Sequence, residues 1–388
     1  MAGPLNGIRV VELGVWVAAP ATGGILADWG ADVVKIEPPA GDPARMFARM
    51  LGAGGVNPPF EMDNRSKRSV VLDLATESDR AVAVELLTGA DVFVTNVRPA
   101  ALARLGLDYE TVSRHNPGLV YGLITGYGLT GPDADRPAYD VAAFWARAGI
   151  ADLLSRPGES PPFQRGGMGD HSAGMTLAAA VCAALVSRAD TGAGQMVTTS
   201  LYRQGAYTAS FDLNTLLLTG HSIALGQRET MGNPCMNNYR TGDGRRFWIV
   251  GLEAERHWPA LCGAVGRTDL MTDPRFATAR DRAVNAGALI SELDALFATK
   301  TLAEWTAIFD AEPEFFWSPV NSIDDVLADE QFHAAGGVVH VPDGDAGVPM
   351  IATPADFLGT PAEPRSPAPA LGQHTEEVLA ELRAREGG

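Results

Sequence analysis

IRVVELG (8–14), AAPATGGILADWG (18–30) and ADVVKIE (31–37) decide the fold. The first and third are short apolar runs that read as strands, and the segment between them suits a helix that Gly30 ends. The alternation continues through SVVLDL (69–74), a helix at AVAVELLTG (81–89) and a further strand at ADVFVTNV (90–97). After the polar helix and turn LDYETVSRHNPG (107–118), GLVYGLITGYG (118–128) is another strand. Strands apolar on both faces and separated by helices predict a parallel sheet with helices packed on it, an α/β Rossmann-like domain. The loop after the first strand, GVWVAAPATGG (14–24), does not fit G-x-G-x-x-G, so a dinucleotide site is not expected.

The chain has 388 residues, enough for two domains, and its 46% hydrophobic content is ordinary for a globular protein. From Asp170 to about Ser187 the sequence reads as a buried helix rich in Ala and Leu. QMVTTSL (195–201) follows as a strand, and YRQGAYTASFDLNTLLLTG (202–220) as one long helix. The texture then changes. Residues 221–243 are polar and loop-like, RRFWIVGLE (245–253) is a strand, and helices follow around 254–265 and 281–299. This predicts a large domain over 1–220, a smaller α+β domain over 225–325, and a return to the large domain over 326–388. The Pro- and Gly-rich VPDGDAGVP (341–349) and GTPAEPRSPAPALG (359–372) suit a linker or a surface strap, before a closing helix TEEVLAELRAR (375–385).

A net charge of −17 repels nucleic acid and anionic membranes, so neither is expected as a partner. No run of eighteen apolar residues argues for membrane insertion, and MAGPLNGIRVVEL lacks the pattern of a signal peptide. A cytoplasmic protein is expected. Three cysteines, Cys182, Cys235 and Cys262, are too few and too scattered for a disulfide framework or a zinc site, and no metal is expected. An anionic ligand would need a site built locally from arginines and backbone N–H groups.

The densest chemical signal is GGMGDHSAGM (166–175), in which glycines lead into Asp170 and an apolar helix opens behind it. An Asp there reads first as a helix N-cap, since its oxygen accepts an orphan N–H. Glycines also let backbone approach a ligand closely and free N–H groups to stabilise an oxyanion. The residues alone leave both readings open.

The segment GDHSAGMTLAAAVCAALVSRADTGAGQMVTTSLY (169–202) resembles the nucleophile region of the class III CoA-transferases, which include formyl-CoA and carnitine-CoA transferases. So do the opening VVELGVWVAAPATGGILADWGADVVKIEPPAGDPAR (10–45), NRSKRSVVLDL (64–74), the stretch from Thr95 to Pro132, and ALGQHTEEVLAEL (370–382). The matches cover nearly the whole chain in the family's order. The resemblance implies coenzyme A as the substrate and product thioester, a carboxylic acid as the second substrate, and an interlocked homodimer. It implies that Asp170 attacks the donor thioester to give a mixed anhydride, and that Gly169 helps cradle the oxyanion. Matching CoA-contact positions are Val17 and Ala18, Leu72 through Ala75, Asn96, Val97, Arg98, Arg104, and Ala138, Tyr139 and Asp140. Arg98 and Arg104 are the natural phosphate ligands, with Lys67 and Arg68 as further candidates.

The chain departs from the formyl-CoA members at Val17, where they carry Gln, and at Pro38, where they carry Arg. Their tetraglycine loop is replaced by GNPCMNNYRTGDG (232–244). A larger acyl group is therefore expected, with Trp16, Phe144, Trp145 and Met168 as candidate lining. The same fold also serves α-methylacyl-CoA racemases, which carry Gly-His-Asp where this chain has Ala138-Tyr139-Asp140. Racemisation needs a base that tyrosine does not supply at neutral pH. Glu253 matches a glutamate of the racemases, and His171 reads as a neighbour of Asp170 rather than a base. A racemase is the alternative reading, and a non-catalytic acyl-CoA-binding protein the remote one.

Overall fold

In the computed structural model, residues 3–47, 55–156, 158–223, 228–344 and 347–386 are described. The chain divides into two compact units, 1–222 with 333–388, and 223–332.

The first unit is built on six strands, β1 (Arg9–Leu13), β2 (Asp32–Glu37), β3 (Arg68–Val71), β4 (Val92–Thr95), β5 (Val120–Thr125) and β6 (Met196–Ser200), in the order β3-β2-β1-β4-β5-β6. All the pairings are parallel. Adjacent residues of each strand serve opposite cores. Val10, Val33, Val92 and Val120 face α1 (Ala18–Asp28) and the long helix Met168–Thr191. Val11, Val34, Phe93 and Tyr121 pack in the other core. α2 (Pro58–Asn64) packs on α1, and the second core is closed by α3 (Glu77–Thr88), α4 (Pro99–Leu105) and α5 (Tyr109–His115). Burial on both faces is why these strands are mostly apolar, with Glu12, Lys35 and Glu37 as buried charged exceptions on β1 and β2. α1 ends where Gly30 takes φ +105, a left-handed turn open to glycine.

The long helix, α6 (Met168–Thr191), is long and apolar enough by length and composition to cross a membrane. One face of it buries Ala173, Gly174, Leu177, Ala178, Val181 and Ala184 against α1 and the sheet, while Ala179, Ala183 and Val186 are exposed, so the helix expected as buried is buried on that face alone. The stretch after β6 is two helices rather than one, α7 (Leu201–Thr208) and α8 (Ser210–Thr219), broken at Ala209 (φ −89, ψ 17).

The second unit carries an antiparallel sheet of β7 (Met236–Arg240), β8 (Arg246–Val250) and β9 (Trp317–Pro319), packed on helices around Phe247, Phe297, Trp305 and Phe309. The segment 221–243, expected as loop, thus contains a strand, because Asn237 and Tyr239 alternate inward along β7. Residues 224–227 of that segment lie outside the described residues.

The Pro-rich tail is a strap on the first unit. β10 (Val338–Val341) and β11 (Val348–Ile351) form a hairpin, and the chain then runs along edge strand β3. Ser66 N donates to Ser366 O (2.9 Å), and His374 N donates to Ser69 O (3.0 Å). Thr375 Oγ1 accepts from Val71 N (3.0 Å). Covering an edge this way removes a free template for strand pairing. Arg365 locks the strap by donating to Ala27 O (2.8 Å) and Ala31 O (2.7 Å) at the end of α1.

Candidate active site

In a parallel sheet of this order the chain reverses direction between β1 and β4, and the loops leaving their carboxyl ends part there to form a crevice. A cavity of about 300 Å³ opens at that point. Its walls are Val15–Ala18 after β1, Asn96 and Arg98 after β4, Ile124–Gly126 at the end of β5, Pro137–Asp140, Asp170 and Leu201.

The first loop is held by three hydrogen bonds to two side chains. Val15 N donates to Asn96 Oδ1 (3.0 Å), and Asn96 Nδ2 donates back to Val15 O (2.8 Å). Trp16 N donates to Asp42 Oδ1 (3.0 Å). Trp16 has φ +65, a left-handed conformation that costs a bulky side chain about 1–2 kcal/mol. The loop persists because a buried ionic network fixes its anchors. Lys35 Nζ lies 2.9 Å from Asp42 Oδ2 and 2.8 Å from Glu12 Oε1, and Lys67 Nζ lies 2.6 Å from Glu12 Oε2. All four side chains are buried, and two ammoniums balance two carboxylates. A Cβ on Gly23 would sit 2.0 Å from Glu12 Oε2, so the glycine lets α1 pass over this network.

Asp170 is the third residue of α6; Gly167, in the left-handed conformation at φ 79, is the N-cap. The N-cap reading of Asp170 therefore does not hold. Among the described residues nothing hydrogen-bonds to its carboxylate. Burial pushes its pKa up to about 7, helped by the negative charges of Asp140 and Asp63 and opposed by His171.

The N-terminal capping falls to Asp140, whose Oδ2 accepts from Gly169 N (3.1 Å) while Oδ1 accepts from Gln164 Nε2 (2.9 Å). The Gly169 N–H expected as an oxyanion donor is thus already engaged. Gly169 is needed for space: a Cβ would lie 2.2 Å from Asp140 Oδ1 and 2.3 Å from Phe144 Cγ. Gly169→Ala is expected to destabilise the protein by about 1–3 kcal/mol, and to lower activity further by displacing Asp170. Thermal melting and the transfer rate of the same preparation check both. His171 Nε2 meets Asp63 Oδ1 at 2.9 Å, and this bond raises the His171 pKa above the ordinary imidazole range.

Of the residues expected from the sequence, Val17, Ala18, Asn96, Arg98, Ala138, Tyr139, Asp140 and Asp170 share the cavity wall. Leu72, Ala75, Val97 and Arg104 are outside it. Leu72 is buried in the core with its N–H on Glu37 O, and Ala75 N donates to Asp73 Oδ1. Val97 N donates to Thr95 Oγ1, and Arg104 is in the last turn of α4. Lys67 does not reach solvent, and Arg68 is bound by Asp32, Glu377 and Glu381, so neither is free for phosphate. Trp16 lines the cavity as expected, whereas Phe144 and Trp145 belong to the core. Met168 is half exposed at the start of α6 and is not part of the wall.

Residues missed from the sequence include Val15, Thr125, Gly126 and Leu201. Gly126 carried a usable signal, a glycine just past the apolar run of β5. A Cβ there would meet Ala138 Cβ at 2.4 Å, so its absence lets the Tyr139 segment close on the sheet. Among the described residues, no group of three His, Cys, Asp or Glu side chains could hold a metal ion. Glu253 lies in the second unit and pairs with Arg256 at 3.2 Å.

The family model described as CoA-transferase family III matches residues 5–375. The (R)-2-hydroxy-4-methylpentanoate CoA-transferase of Clostridioides difficile is 34% identical over 97% of this chain and 95% of its own length. The cinnamoyl-CoA:phenyllactate CoA-transferase of Clostridium sporogenes is 34% identical over 97% and 93%. Among solved structures, a CaiB/BaiF family protein from Brucella suis superposes with TM-score 0.84 at 32% identity, covering 98% of this chain and 100% of its own. Rv3272 from Mycobacterium tuberculosis does so with TM-score 0.84 at 31% identity, covering 97% and 98%.

Proposed function

The chain belongs to CoA-transferase family III and is a CoA-transferase, and from that premise we propose that it exchanges CoA between an acyl-CoA and a free carboxylic acid with Asp170 as the covalent carrier. The observation that carries this reading is the state of Asp170: a carboxylate with no hydrogen-bond partner among the described residues, in the wall of the crevice at the sheet's reversal point, with its pKa pushed up to about 7 by burial. Partial desolvation raises the basicity of a weak nucleophile and leaves its lone pairs free for attack.

In the proposed sequence an Asp170 oxygen attacks the thioester carbonyl carbon, the C–S bond breaks, and CoA leaves as the thiolate. The thiolate then attacks the Asp170 carbonyl carbon of the mixed anhydride and expels the donor acid as its carboxylate. The acceptor carboxylate attacks the resulting aspartyl thioester and repeats the two steps in reverse. No net proton or electron is exchanged, which suits a site with no second base at Tyr139. Val17 and Ala18, at the start of α1, offer N–H groups without helical partners, and Arg98 on the rim offers a guanidinium to CoA phosphate. Residues Asn96, Ala138, Tyr139 and Asp140 shape the path to Asp170.

Only ionised Asp170 can attack, so kcat/KM for the acyl-CoA is expected to fall about tenfold per pH unit below roughly pH 6 and to level above roughly pH 8. A profile flat from pH 5 to 8 contradicts the assignment. Exchange of the α-proton of an acyl-CoA with deuterated solvent, without an acceptor acid, would instead establish a racemase.

The proposal includes an interlocked homodimer. Tyr207, Phe211, Leu217 and Leu218 on α7 and α8 are each at least 77% exposed, and α8 has no buried residue. Large exposed apolar side chains grouped on two successive helices mark an interface. Size-exclusion chromatography with light scattering should give a dimer at micromolar concentration, and a monomer would overturn it. The three free cysteines fit the cytoplasmic location that forms part of this reading.

A further inference from the structure

We propose that Trp16 sets the acyl-group selectivity of the site, and that the acid carried on Asp170 is an apolar monocarboxylic acid with a branched or aromatic side chain, not a dicarboxylic acid. The inference rests on the transferase reading above.

Its starting point is the backbone of Trp16. Among the described residues only Trp16 and Ser66 have positive φ without being glycine. Glycine would adopt the same φ without strain, so the conformation does not explain the indole. Strain held in place by three anchors, Asn96, Asp42 and Lys35, is the pattern of a residue whose side chain must point one way. The indole enters the cavity wall, with the Tyr139 ring edge-on to it at 6.1 Å and the Phe47 ring at 5.6 Å on another side. An aromatic wall close to Asp170 favours a flat or branched apolar group.

The polar groups around the cavity point the same way, because most are committed elsewhere. Asn96 is spent on Val15, Asp140 on Gly169 N and Gln164, and Thr125 Oγ1 on Gly128 N. Among the described residues the one cation in the wall is Arg98, which is exposed on the rim, while His171, next to Asp170 in the chain, lies outside the wall and is held by Asp63. A second carboxylate on the acyl group would enter beside Asp140 and Asp170, where no described residue of the wall supplies a cation at depth. Desolvating such a charge unpaired is strongly unfavourable.

The test is a panel of donors, 3-methylbutanoyl-, 3-phenylpropanoyl-, acetyl- and succinyl-CoA, each with a common acceptor acid, on the full-length protein and on Trp16→Gly and Trp16→Phe. The wild type should use the branched and phenyl donors with kcat/KM at least about tenfold above acetyl-CoA and about a hundredfold above succinyl-CoA. In Trp16→Gly the ratio of phenylpropanoyl to acetyl kcat/KM should fall about tenfold, and in Trp16→Phe it should stay within about threefold of wild type. The glycine variant loses the indole's packing on Phe47 and Tyr139 and gains from relief of the strained φ, so a cooperative melt within a few degrees of wild type separates selectivity from misfolding. Succinyl-CoA used as well as the apolar donors, or a ratio unmoved by Trp16→Gly, overturns the inference and leaves the transferase reading intact. Failure to transfer CoA from any donor to any acid overturns the transferase reading itself, and this inference with it.

Discussion

Replacing Asp170 with asparagine should reduce CoA transfer by at least about a thousandfold while leaving a folded protein, because the carboxylate is the group that bonds to the acyl carbon. Stability should move the other way. The folded-state pKa of Asp170 is pushed up to about 7 from an ordinary 3.8, so the folded protein holds this proton more tightly than the unfolded chain. The stabilisation from that proton is complete below about pH 4 and is lost as the pH rises through 7. Above pH 7 the wild type carries an ionised, partly desolvated carboxylate and asparagine does not. Asp170→Asn should therefore melt higher than wild type at pH 8, with the difference shrinking toward pH 4. A residue kept for stability would show the opposite sign, so lost activity with a gained melting temperature identifies a functional carboxylate.

Removing Glu12 should cost a large part of the stability of the fold. Its two oxygens receive Lys35 and Lys67 at 2.8 and 2.6 Å, and none of the three side chains reaches solvent. Glu12→Ala would leave two buried ammoniums facing the single carboxylate of Asp42, at an expected loss of about 3–5 kcal/mol. That is a large part of the 5–15 kcal/mol typical of a folded domain. Urea unfolding followed by circular dichroism measures it. The double variant Glu12→Ala with Lys67→Met removes one stranded charge and should recover part of the loss. A loss below about 1 kcal/mol would mean that solvent reaches the network. Activity should fall with stability, since Lys35 is one of the groups that fix Asp42, and Asp42 holds Trp16.

Much of the architecture was legible in the sequence because it rests on local pattern. Runs such as VVEL and VFVT are apolar at successive positions because Val10 and Val11, or Val92 and Phe93, serve different cores, and that alone specifies a parallel sheet under helices. The missing G-x-G-x-x-G was legible for the same reason. What escaped depended on partners distant in the chain. His171 meets Asp63 across 108 residues, and Gly169 N–H is taken by Asp140 across 29. Phe144 and Trp145 are as apolar as any pocket lining, and only packing assigns them to the core. The left-handed turn at Trp16 carries no sequence signature, because glycine or asparagine would ordinarily stand there.

The central claim is that Asp170 becomes covalently modified during turnover. The direct measurement is to mix the protein with an acyl-CoA, add hydroxylamine, digest with trypsin and examine the peptide Gly166–Arg188 by mass spectrometry. The account predicts a hydroxamate on Asp170 that requires the acyl-CoA and forms on no other carboxylate. CoA transfer that proceeds at full rate while Asp170 stays unmodified would contradict it.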